Sequence, residues 1–388
     1  MSKIIRTVCG DISPEKLGYT SVHEHTISSA WELKKVLLLS GPDMMKGISA
    51  YQGGADIGAE AERRKQEGIT DIPQMDIKGV FDSMKMSRGN PARKLSDIEY
   101  YKRELDAFWQ YGGRSICDCS PIPMGGVRLK TVQELSRKSG VQIVSGAGYY
   151  TKASFKKAWV KKGEEFMVSR VEHYLDEGDG SCDARPGFAK CAVSVVENEE
   201  ICPVERMAVR ACAKAAKKRG MSLHIHTAFP VRKVHILKLA DMLEQEIGLE
   251  PGKVIFCHMD SYNLGMGNPV SRINRDGYDL SLPLELAKRG FHIGLDTWGG
   301  SHKNETAVRY GVNVRKKMLL ELLESGYEKN VTLGHDMMNR AVGVQNNAYG
   351  YTLFPITLQE MLQNGEISAE TFHRLTVENP AELLSFEA

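Results

Sequence analysis

The chain lacks several patterns that would assign it to other classes of protein. Its eight cysteines form no C-x-x-C pair, which favours reduced structural thiols. It contains no uninterrupted apolar run of about 18 residues, the length that a membrane-spanning helix requires. The first twenty residues hold no long apolar segment, so we expect no signal peptide. These absences together predict a cytoplasmic protein.

An excess of charge of one sign is also missing. The 51 basic and 49 acidic residues are well mixed and give a net charge of +2. Proteins that bind nucleic acids or membrane surfaces concentrate positive charge in a patch or stripe. The composition therefore predicts a small-molecule substrate as the partner, and neither a nucleic acid nor a membrane.

Eight short apolar runs are present, and from about residue 112 they alternate regularly with amphipathic helical patterns. The alternation predicts parallel strands joined by right-handed crossovers, and eight such units predict an α/β fold of the (β/α)8 or TIM barrel type. No G-x-G-x-x-G follows the first strand, which argues against an open dinucleotide-binding sheet. The predicted strands are 18–26, 115–120, 142–150, 188–195, 222–228, 254–260, 292–298 and 331–337.

One segment, residues 27–97, interrupts this alternation between the first strand and its helix. It contains helical fragments, three prolines and many charges, but no internal repeat. Long segments of this kind are commonly functional loops, and this one carries little apolar sequence for a core of its own. We therefore predict a single domain over residues 1–388, with 27–97 inserted as a lid or an oligomer contact.

Six residues of metal-binding types lie near the ends of predicted strands, where TIM barrels carry their functional residues. Because side chains alternate along a strand, His23 and His25 should face one way and Glu24 the other. Lys190 interrupts an apolar run, and a buried lysine is costly unless it is paired with a carboxylate or neutralised, for example as a carbamate. The six residues are His23, His25, Lys190, His226, His258 and Asp336.

These six groups could hold two divalent ions and leave positions for water and substrate. A water bridging two ions would be ionised near neutral pH and would attack the substrate as hydroxide. Asp336 would accept the proton and pass it to the leaving group. The sequence therefore predicts a binuclear metal-dependent hydrolase. His224 is predicted to play a core or supporting part, and His335 to point away from the centre.

The chain resembles the phosphotriesterase-like branch of the amidohydrolase superfamily over nearly its whole length. The resemblance is carried in order by GDISPEKLGYTSVHEHT, GAGYYT, the Lys190 strand, VERMAVRACAKAAKKRGMSLHIHT, HMD, HIGLDTWG, GHD and LTVENPAELLSF. It implies two divalent ions, zinc or else manganese or cobalt, and a homodimer. It also implies that His23, His25 and Asp336 bind the more buried ion, that His226 and His258 bind the more exposed one, and that carboxylated Lys190 bridges them.

Members of that family differ in substrate. Tyr150 matches a tyrosine that contacts the lactone in related lactonases, whereas Thr297 stands where those lactonases often carry arginine. Lys303 and Arg340 are counterparts of basic residues that bind phosphorylated lactones in other relatives, or else ordinary solvated charges. The loop that follows strand six offers Arg275 or Tyr278 as further substrate contacts.

The resulting expectation is a lactonase that opens a small polar or phosphorylated lactone. The alternatives are an N-acyl amide hydrolase and a phosphotriesterase (aryldialkylphosphatase), because the same metal centre serves all three reactions. A catalytically silent barrel that acts as a scaffold is a hypothesis of another class. The presence of all six ligand-type residues argues against it.

Overall fold

The computed structural model describes residues 2–27, 93–122, 128–228, 231–260, 279–298, 305–337 and 343–387. Eight parallel strands form one sheet in the spatial order β12, β11, β10, β9, β6, β5, β4, β3. All eight predicted strands are present, which confirms the TIM barrel. They are β3 (Thr20–Glu24), β4 (Ser115–Ile122), β5 (Gln142–Gly148), β6 (Phe188–Val193), β9 (Leu223–Thr227), β10 (Val254–Phe256), β11 (His292–Leu295) and β12 (Val331–Leu333).

Short strands lie outside the barrel. β1 (Lys3–Thr7) pairs antiparallel with both β2 (Gly10–Ile12) and the C-terminal β13 (Phe386–Glu387). A two-stranded hairpin, β7 (Val196–Glu197) with β8 (Glu200–Ile201), follows β6 directly. The hairpin therefore extends the connection from β6 to the next helix, at the end of the barrel where the predicted site residues lie.

Helices alternate with the barrel strands as the apolar spacing predicts. They are α1 (Arg93–Gln110), α2 (Leu129–Ser139), α3 (Lys157–Glu177), α4 (Pro203–Arg219), α5 (Lys233–Asp241), α6 (Ser281–Lys288), α7 (Glu305–Glu324) and α8 (Leu353–Gln363), then α9 (Ala369–His373) and α10 (Asn379–Leu384). π-helical turns span Met242–Ile247 and Arg374–Glu378. 3-10 turns span Pro14–Lys16, Lys152–Ser154, Pro251–Lys253, Glu328–Asn330, Val344–Asn346 and Gly350–Thr352.

The helix α4 shows how the local sequence sets an element. Pro203 occupies its first turn, where a missing N–H costs nothing, and Gly220 ends it in the left-handed conformation with φ 63°. Its buried face is largely alanine, which lets the helix approach the sheet closely. Three basic residues in the last turn complement the negative end of the helix dipole.

The first and last strands of the sheet lie beside each other, so that the sheet is nearly closed into a barrel. The backbone N–H of Asp336 donates to the carbonyl oxygen of His23 across this seam at 3.0 Å. A Cβ at Gly334 would lie 2.9 Å from the His23 backbone, so only glycine allows the two strands to approach this closely. The seam brings the predicted ligands of β3 and β12 beside one another.

The interior of the barrel is a packed apolar layer beneath the predicted site. It contains Val22, Cys117, Cys119, Val144, Phe188, Ile255 and Cys257, and it continues into Ile5, Leu17, Leu383 and Leu384. All eight cysteines of the chain are free thiols, and six of them are buried. In the part of the chain that the structure describes, the barrel interior is therefore filled, and the predicted polar site lies at the end where the strands finish.

Two histidines are buried below the predicted ligands and outside that set. His224 stacks on Phe188 with ring centroids 4.1 Å apart, which confirms its predicted place in the core. His292 begins β11, and its Nδ1 is buried without a hydrogen-bond partner. Burial lowers the pKa of His292 to about 4 and holds the pKa of His224 well below its ordinary value. Both imidazoles are therefore neutral in the folded chain.

We expect acid to destabilise the fold through His292. The unfolded imidazole takes up a proton near pH 6.5 and the folded one near 4, so folding stability falls as pH drops through this window. The loss from this one group should be about 2 kcal/mol between pH 7 and 5. Denaturant titrations at both pH values should show a smaller loss for His292→Gln than for the parent chain. Equal losses would contradict a neutral buried His292.

Most of residues 27–97 lies outside the described residues. Their predicted role as a lid or an oligomer contact is therefore not tested by the structure. The single domain over 1–388, the homodimer and the cytoplasmic location likewise stay predictions. Among the described residues, no helix is both long enough and apolar enough to cross a membrane.

Candidate metal centre

The six predicted side chains converge at the end of the barrel where the strands finish. His23 lies in β3 and His25 follows it by one residue, whereas Lys190 and His226 lie in β6 and β9. The other two, His258 and Asp336, lie in the turns that follow β10 and β12. Residues far apart in the sequence therefore line a single site, as the barrel predicts.

His258 and Asp336 adopt the left-handed backbone conformation, with φ 64° and φ 53°. This conformation is unfavourable for residues other than glycine and concentrates at functional sites. Hydrogen bonds hold both turns. The His258 N–H donates to Asp296 Oδ1 at 2.7 Å, and the Asp336 N–H donates to the His23 carbonyl. These turns aim both side chains back over the barrel axis.

The two histidines of the first strand direct the same ring nitrogen toward Asp336. The Nε2 atoms of His25 and His23 lie 3.1 Å and 3.7 Å from Asp336 Oδ1. Their Nδ1 atoms are engaged elsewhere, that of His23 with Asp296 Oδ2 at 2.8 Å and that of His25 with Ser120 Oγ at 2.9 Å. A histidine that donates from Nδ1 keeps a lone pair on Nε2 for a metal.

A second pair of histidines lies beside the first. His226 Nδ1 and His258 Nε2 are 2.8 Å apart, and the His258 Nδ1 contacts Asp296 Oδ1 at 2.9 Å. The Tyr150 hydroxyl approaches His226 Nδ1 at 3.5 Å. The predicted substrate-binding tyrosine is thus next to the pair assigned to the more exposed ion.

Lys190 is fully buried, with its Nζ 3.6 Å from Cys257 Sγ. Burial acts to lower the pKa of Lys190, but the neighbouring Cys257, Cys119 and Asp296 outweigh burial, and the net direction is upward. The amino group therefore lies in a site of acidic groups beneath the histidines.

Asp296, which follows β11, is a part of the site that the sequence reasoning missed. It is fully buried, and its two oxygens contact one histidine of each pair. Burial acts to raise the pKa of Asp296, but His258 and His23 outweigh it and hold the pKa well below the usual range. The signal was available, because Asp296 lies near the end of the predicted strand HIGLDTW, as the ligand-type residues lie near the ends of theirs.

The site fits divalent metal ions by the chemistry of its atoms. His23 Nε2 and Asp336 Oδ1 are buried without a hydrogen-bond partner, although buried polar atoms are nearly always satisfied. One ligand atom each from His23, His258 and Asp336 lies within 4.8 Å of the others. Burial, followed by the charge of Lys190, lowers the pKa of His23 to about 3. Neutral imidazole and ionised carboxylate are the forms that bind zinc-like ions.

Glu24 and His335 support the turn that carries Asp336. His335 points away from the centre as predicted, and its Nδ1 contacts Glu24 Oε1 at 2.5 Å. Glu24 also accepts from the backbone N–H of His335 at 3.1 Å and of Met337 at 3.4 Å. Glu24, on the outward face of β3, thereby fixes the turn that carries Asp336, whose carboxylate lies beside His23 and His25.

A buried ion pair joins the ends of β10 and β11 next to the site. Arg315 on α7 donates from Nε to Asp260 Oδ2 at 2.8 Å and from Nη2 to Thr297 Oγ1 at 2.9 Å. The Thr297 hydroxyl donates in turn to Asp260 at 2.8 Å. A guanidinium thus reaches the place where the related lactonases carry arginine, but it comes from another element and binds a carboxylate.

We expect Arg315→Met to destabilise the chain strongly, because it leaves Asp260 charged, buried and without its cation. Breaking a buried pair from one side costs about 3–5 kcal/mol. The double variant Arg315→Met with Asp260→Leu should recover much of this loss, since neither charge then remains. Denaturant unfolding of the single and double variants measures both effects. A single variant as stable as the parent would show that the ion pair contributes nothing.

Of the predicted substrate-binding residues, only Tyr150 is described. Lys303 and Arg340, like Arg275 and Tyr278, lie outside the described residues. Their contacts with a substrate therefore stay predictions.

A TIM barrel with histidines, a lysine and an aspartate at its strand ends is the arrangement that a metal-dependent hydrolase requires. The chain belongs to the phosphotriesterase family, whose model matches residues 3–384. This confirms the resemblance drawn from the motifs. Metal dependence follows at the level of the family.

Among known proteins, the chain is 26% identical to the N-acetyltaurine hydrolase of Xenopus tropicalis, covering 100% of this chain and 99% of that protein. A resiniferatoxin-binding protein of Rhodobacter sphaeroides has a similar structure, with a TM-score of 0.68, 22% identity and coverage of 98% and 94% of the two chains. A lactonase of Listeria monocytogenes follows with a TM-score of 0.66, 19% identity and coverage of 99% and 100%. These two likenesses show the fold.

Proposed function

We propose that the protein is a binuclear metal-dependent amidase that hydrolyses a small N-acyl amide with an acidic group on its amine half. The full-length similarity to an N-acetyltaurine hydrolase is the observation that carries this proposal. That name denotes cleavage of an amide between an acyl group and an amine that bears a sulfonate. The proposal favours the amide alternative over the lactone that the motifs first suggested.

In this proposal His23, His25 and Asp336 would hold one ion, His226 and His258 would hold the other, and Lys190 would serve both as a carbamate. The geometry supports this division of the ligands. Asp336 Oδ1 lies near the Nε2 atoms of His23 and His25, and His226 Nδ1 lies 2.8 Å from His258 Nε2. The Lys190 ammonium would first give up its proton, and the neutral amine would then add to carbon dioxide with loss of a second proton, which leaves an anionic carbamate as the ligand. Zinc is the proposed metal, with manganese or cobalt as alternatives.

When bound, the two ions would acidify the attacking water and polarise the amide carbonyl. Asp336 would accept the proton of that water at a carboxylate oxygen and return it to the departing nitrogen. An amide nitrogen must leave as a neutral amine, so proton delivery at this position is required for the reaction. Tyr150, beside His226, would orient the acyl group, and Lys303 and Arg340 would bind the acidic group of the amine half.

Opening of a small polar or phosphorylated lactone is the second candidate. Its support is the position of Tyr150, which matches the lactone-contacting residue and has its hydroxyl 3.5 Å from His226 Nδ1. A ring ester leaves as an alkoxide and places less demand on proton delivery by Asp336. Hydrolysis of phosphotriesters is proposed only as a side activity of the same centre.

The test is a panel assayed with the zinc- or manganese-loaded protein. It includes N-acetyltaurine, an uncharged N-acetyl amide of equal length, a small lactone, a phosphorylated lactone and an aryl dialkyl phosphate. We expect kcat/KM for the acidic amide to exceed the others by at least about tenfold, which corresponds to about 1.4 kcal/mol of transition-state binding. A faster lactone would make the protein a lactonase, and silence on every compound by a metal-loaded protein would favour a scaffold.

A further inference from the structure

Asp296 contacts one proposed ligand from each metal set at hydrogen-bond distance, and it uses both of its oxygens to do so. Oδ2 lies 2.8 Å from His23 Nδ1, and Oδ1 lies 2.9 Å from His258 Nδ1. Oδ1 also accepts from the His258 backbone N–H at 2.7 Å. The two imidazole rings that it contacts are 4.6 Å apart between centroids. Both oxygens of a buried carboxylate are therefore used by the centre.

The barrel is shaped to hold the Asp296 carboxylate in this position. A Cβ at Gly294 would lie 2.7 Å from Asp296 Oδ2 and 3.0 Å from the Cys257 Cα, so only a residue without a side chain leaves the space. Asp296 itself is 0% exposed, and water cannot replace its contacts with the rings. A buried carboxylate with two fixed imidazole partners imposes one arrangement of protons on both.

We infer that Asp296 is the positioning residue that couples the two ion sites, because it fixes the tautomer of His23 and of His258 together. A carboxylate accepts and cannot donate, so both rings must carry their proton on Nδ1. Each ring then presents a lone pair on Nε2 to its ion. The inference rests on the metal centre of the proposed function and adds to it a residue outside the six proposed ligands.

Asp296→Asn should change the metal affinity of the two ion sites differently. The amide oxygen should occupy the place of Oδ1, where two donors from His258 meet it, and the NH2 group then faces His23 Nδ1. His23 must accept from that NH2, which moves its own proton to Nε2 and removes its lone pair from the metal. Asp296→Asn should therefore weaken the ion held with His25 and retain the one held with His226.

Zinc titration against a competing chelator, with metal content measured after dialysis, tests this on the full chain. We expect the parent to bind two ions and Asp296→Asn to bind one tightly, with the other weakened by about 10–100-fold, the usual effect of a lost ligand partner. Adding His226→Ala to Asp296→Asn should abolish the remaining ion, and adding His25→Ala should leave it. Asp296→Ala should weaken both ions.

Ser120→Ala is the matched control, because Ser120 Oγ contacts only His25 among the four histidines, through Nδ1 at 2.9 Å. It should weaken one ion and leave the other unchanged. Two ions bound with unaltered affinity by Asp296→Asn would overturn the inference and leave the metal centre intact. A parent chain that binds no ion would instead overturn the proposed function.

A second measurement does not depend on the folding of any variant. In the zinc-loaded parent chain labelled with 15N-histidine, NMR should show His23 and His258 protonated at Nδ1 and unprotonated at Nε2. A proton on Nε2 of either ring would overturn the inference.

Discussion

Lys190→Ala should remove bound metal and lower kcat/KM by about 10²–10³-fold or more, since loss of a single group that stabilises the transition state already has an effect of about 10²–10³-fold. The residue is fully buried beneath the histidines, and its proposed carbamate is the anionic ligand that both ions share. Short carboxylic acids should restore part of the metal content and activity, because their carboxylate can enter the space that the truncated side chain leaves. Metal analysis and turnover with and without acetate or propionate measure the rescue.

Lys190→Met provides the control for this rescue. Its side chain has nearly the volume of lysine, so it should lose the metal in the same way but leave no room for an added carboxylate. If carboxylated Lys190 is the ligand shared by both ions, added carboxylic acids should rescue Lys190→Ala and leave Lys190→Met inactive. Unchanged turnover in Lys190→Ala would refute the carbamate, and equal rescue of both variants would show that the acids act elsewhere.

Asp336→Asn should have the second largest effect, but on turnover rather than on metal content. The amide keeps the size of the side chain and one of its two oxygens. In the parent chain Oδ1 lies 3.1 Å from His25 Nε2 and 3.7 Å from His23 Nε2, and Oδ2 lies 3.9 Å from His258 Nδ1. It cannot accept and return a proton, a function that contributes about 10²–10⁴-fold to a rate. We therefore expect kcat to fall by this factor while the protein still binds most of its metal.

The leaving group distinguishes the two duties of Asp336. An anilide with an electron-withdrawing ring leaves with little need of a proton, so the defect of Asp336→Asn should be smaller for it than for an alkyl amide. A defect of equal size on both amides would show that Asp336 delivers no proton to the leaving group. A loss of metal as complete as in Lys190→Ala would show that the amide cannot replace the carboxylate as a ligand.

The fold was largely predictable because its signals are local and repeated. Each barrel strand is a short apolar run and each crossover an amphipathic one, and a regular alternation of the two admits few topologies. Helix α4 illustrates this, since its proline start, alanine-rich face and glycine end are all visible in the sequence. The ends of the strands are set less by the local sequence. Strands β10 and β12 end four residues before the predicted runs do. There, His258 and Asp336 turn into the left-handed conformation.

The choice between amide and lactone could not come from the motifs. Both reactions use the same ligands and the same proton acceptor, so the six residues carry no information on the leaving group. Residues that contact the substrate would carry this information. Of the predicted ones, the described residues include Tyr150, which suits the acyl group of an amide and of a lactone equally. Full-length similarity to an amide hydrolase supplied the preference.

The sequence by itself determined which residue types stand at the strand ends, and hence the barrel, the reaction class and the candidate ligands. The tertiary structure decided how those residues are oriented. It showed that Asp296 lies between His23 and His258, that Ser120 engages His25, and that Arg315 reaches Thr297 and Asp260 from α7. Hydrogen bonds between distant strands depend on register and side-chain direction, which periodicity does not encode, and they select the nitrogen that each imidazole presents to the site.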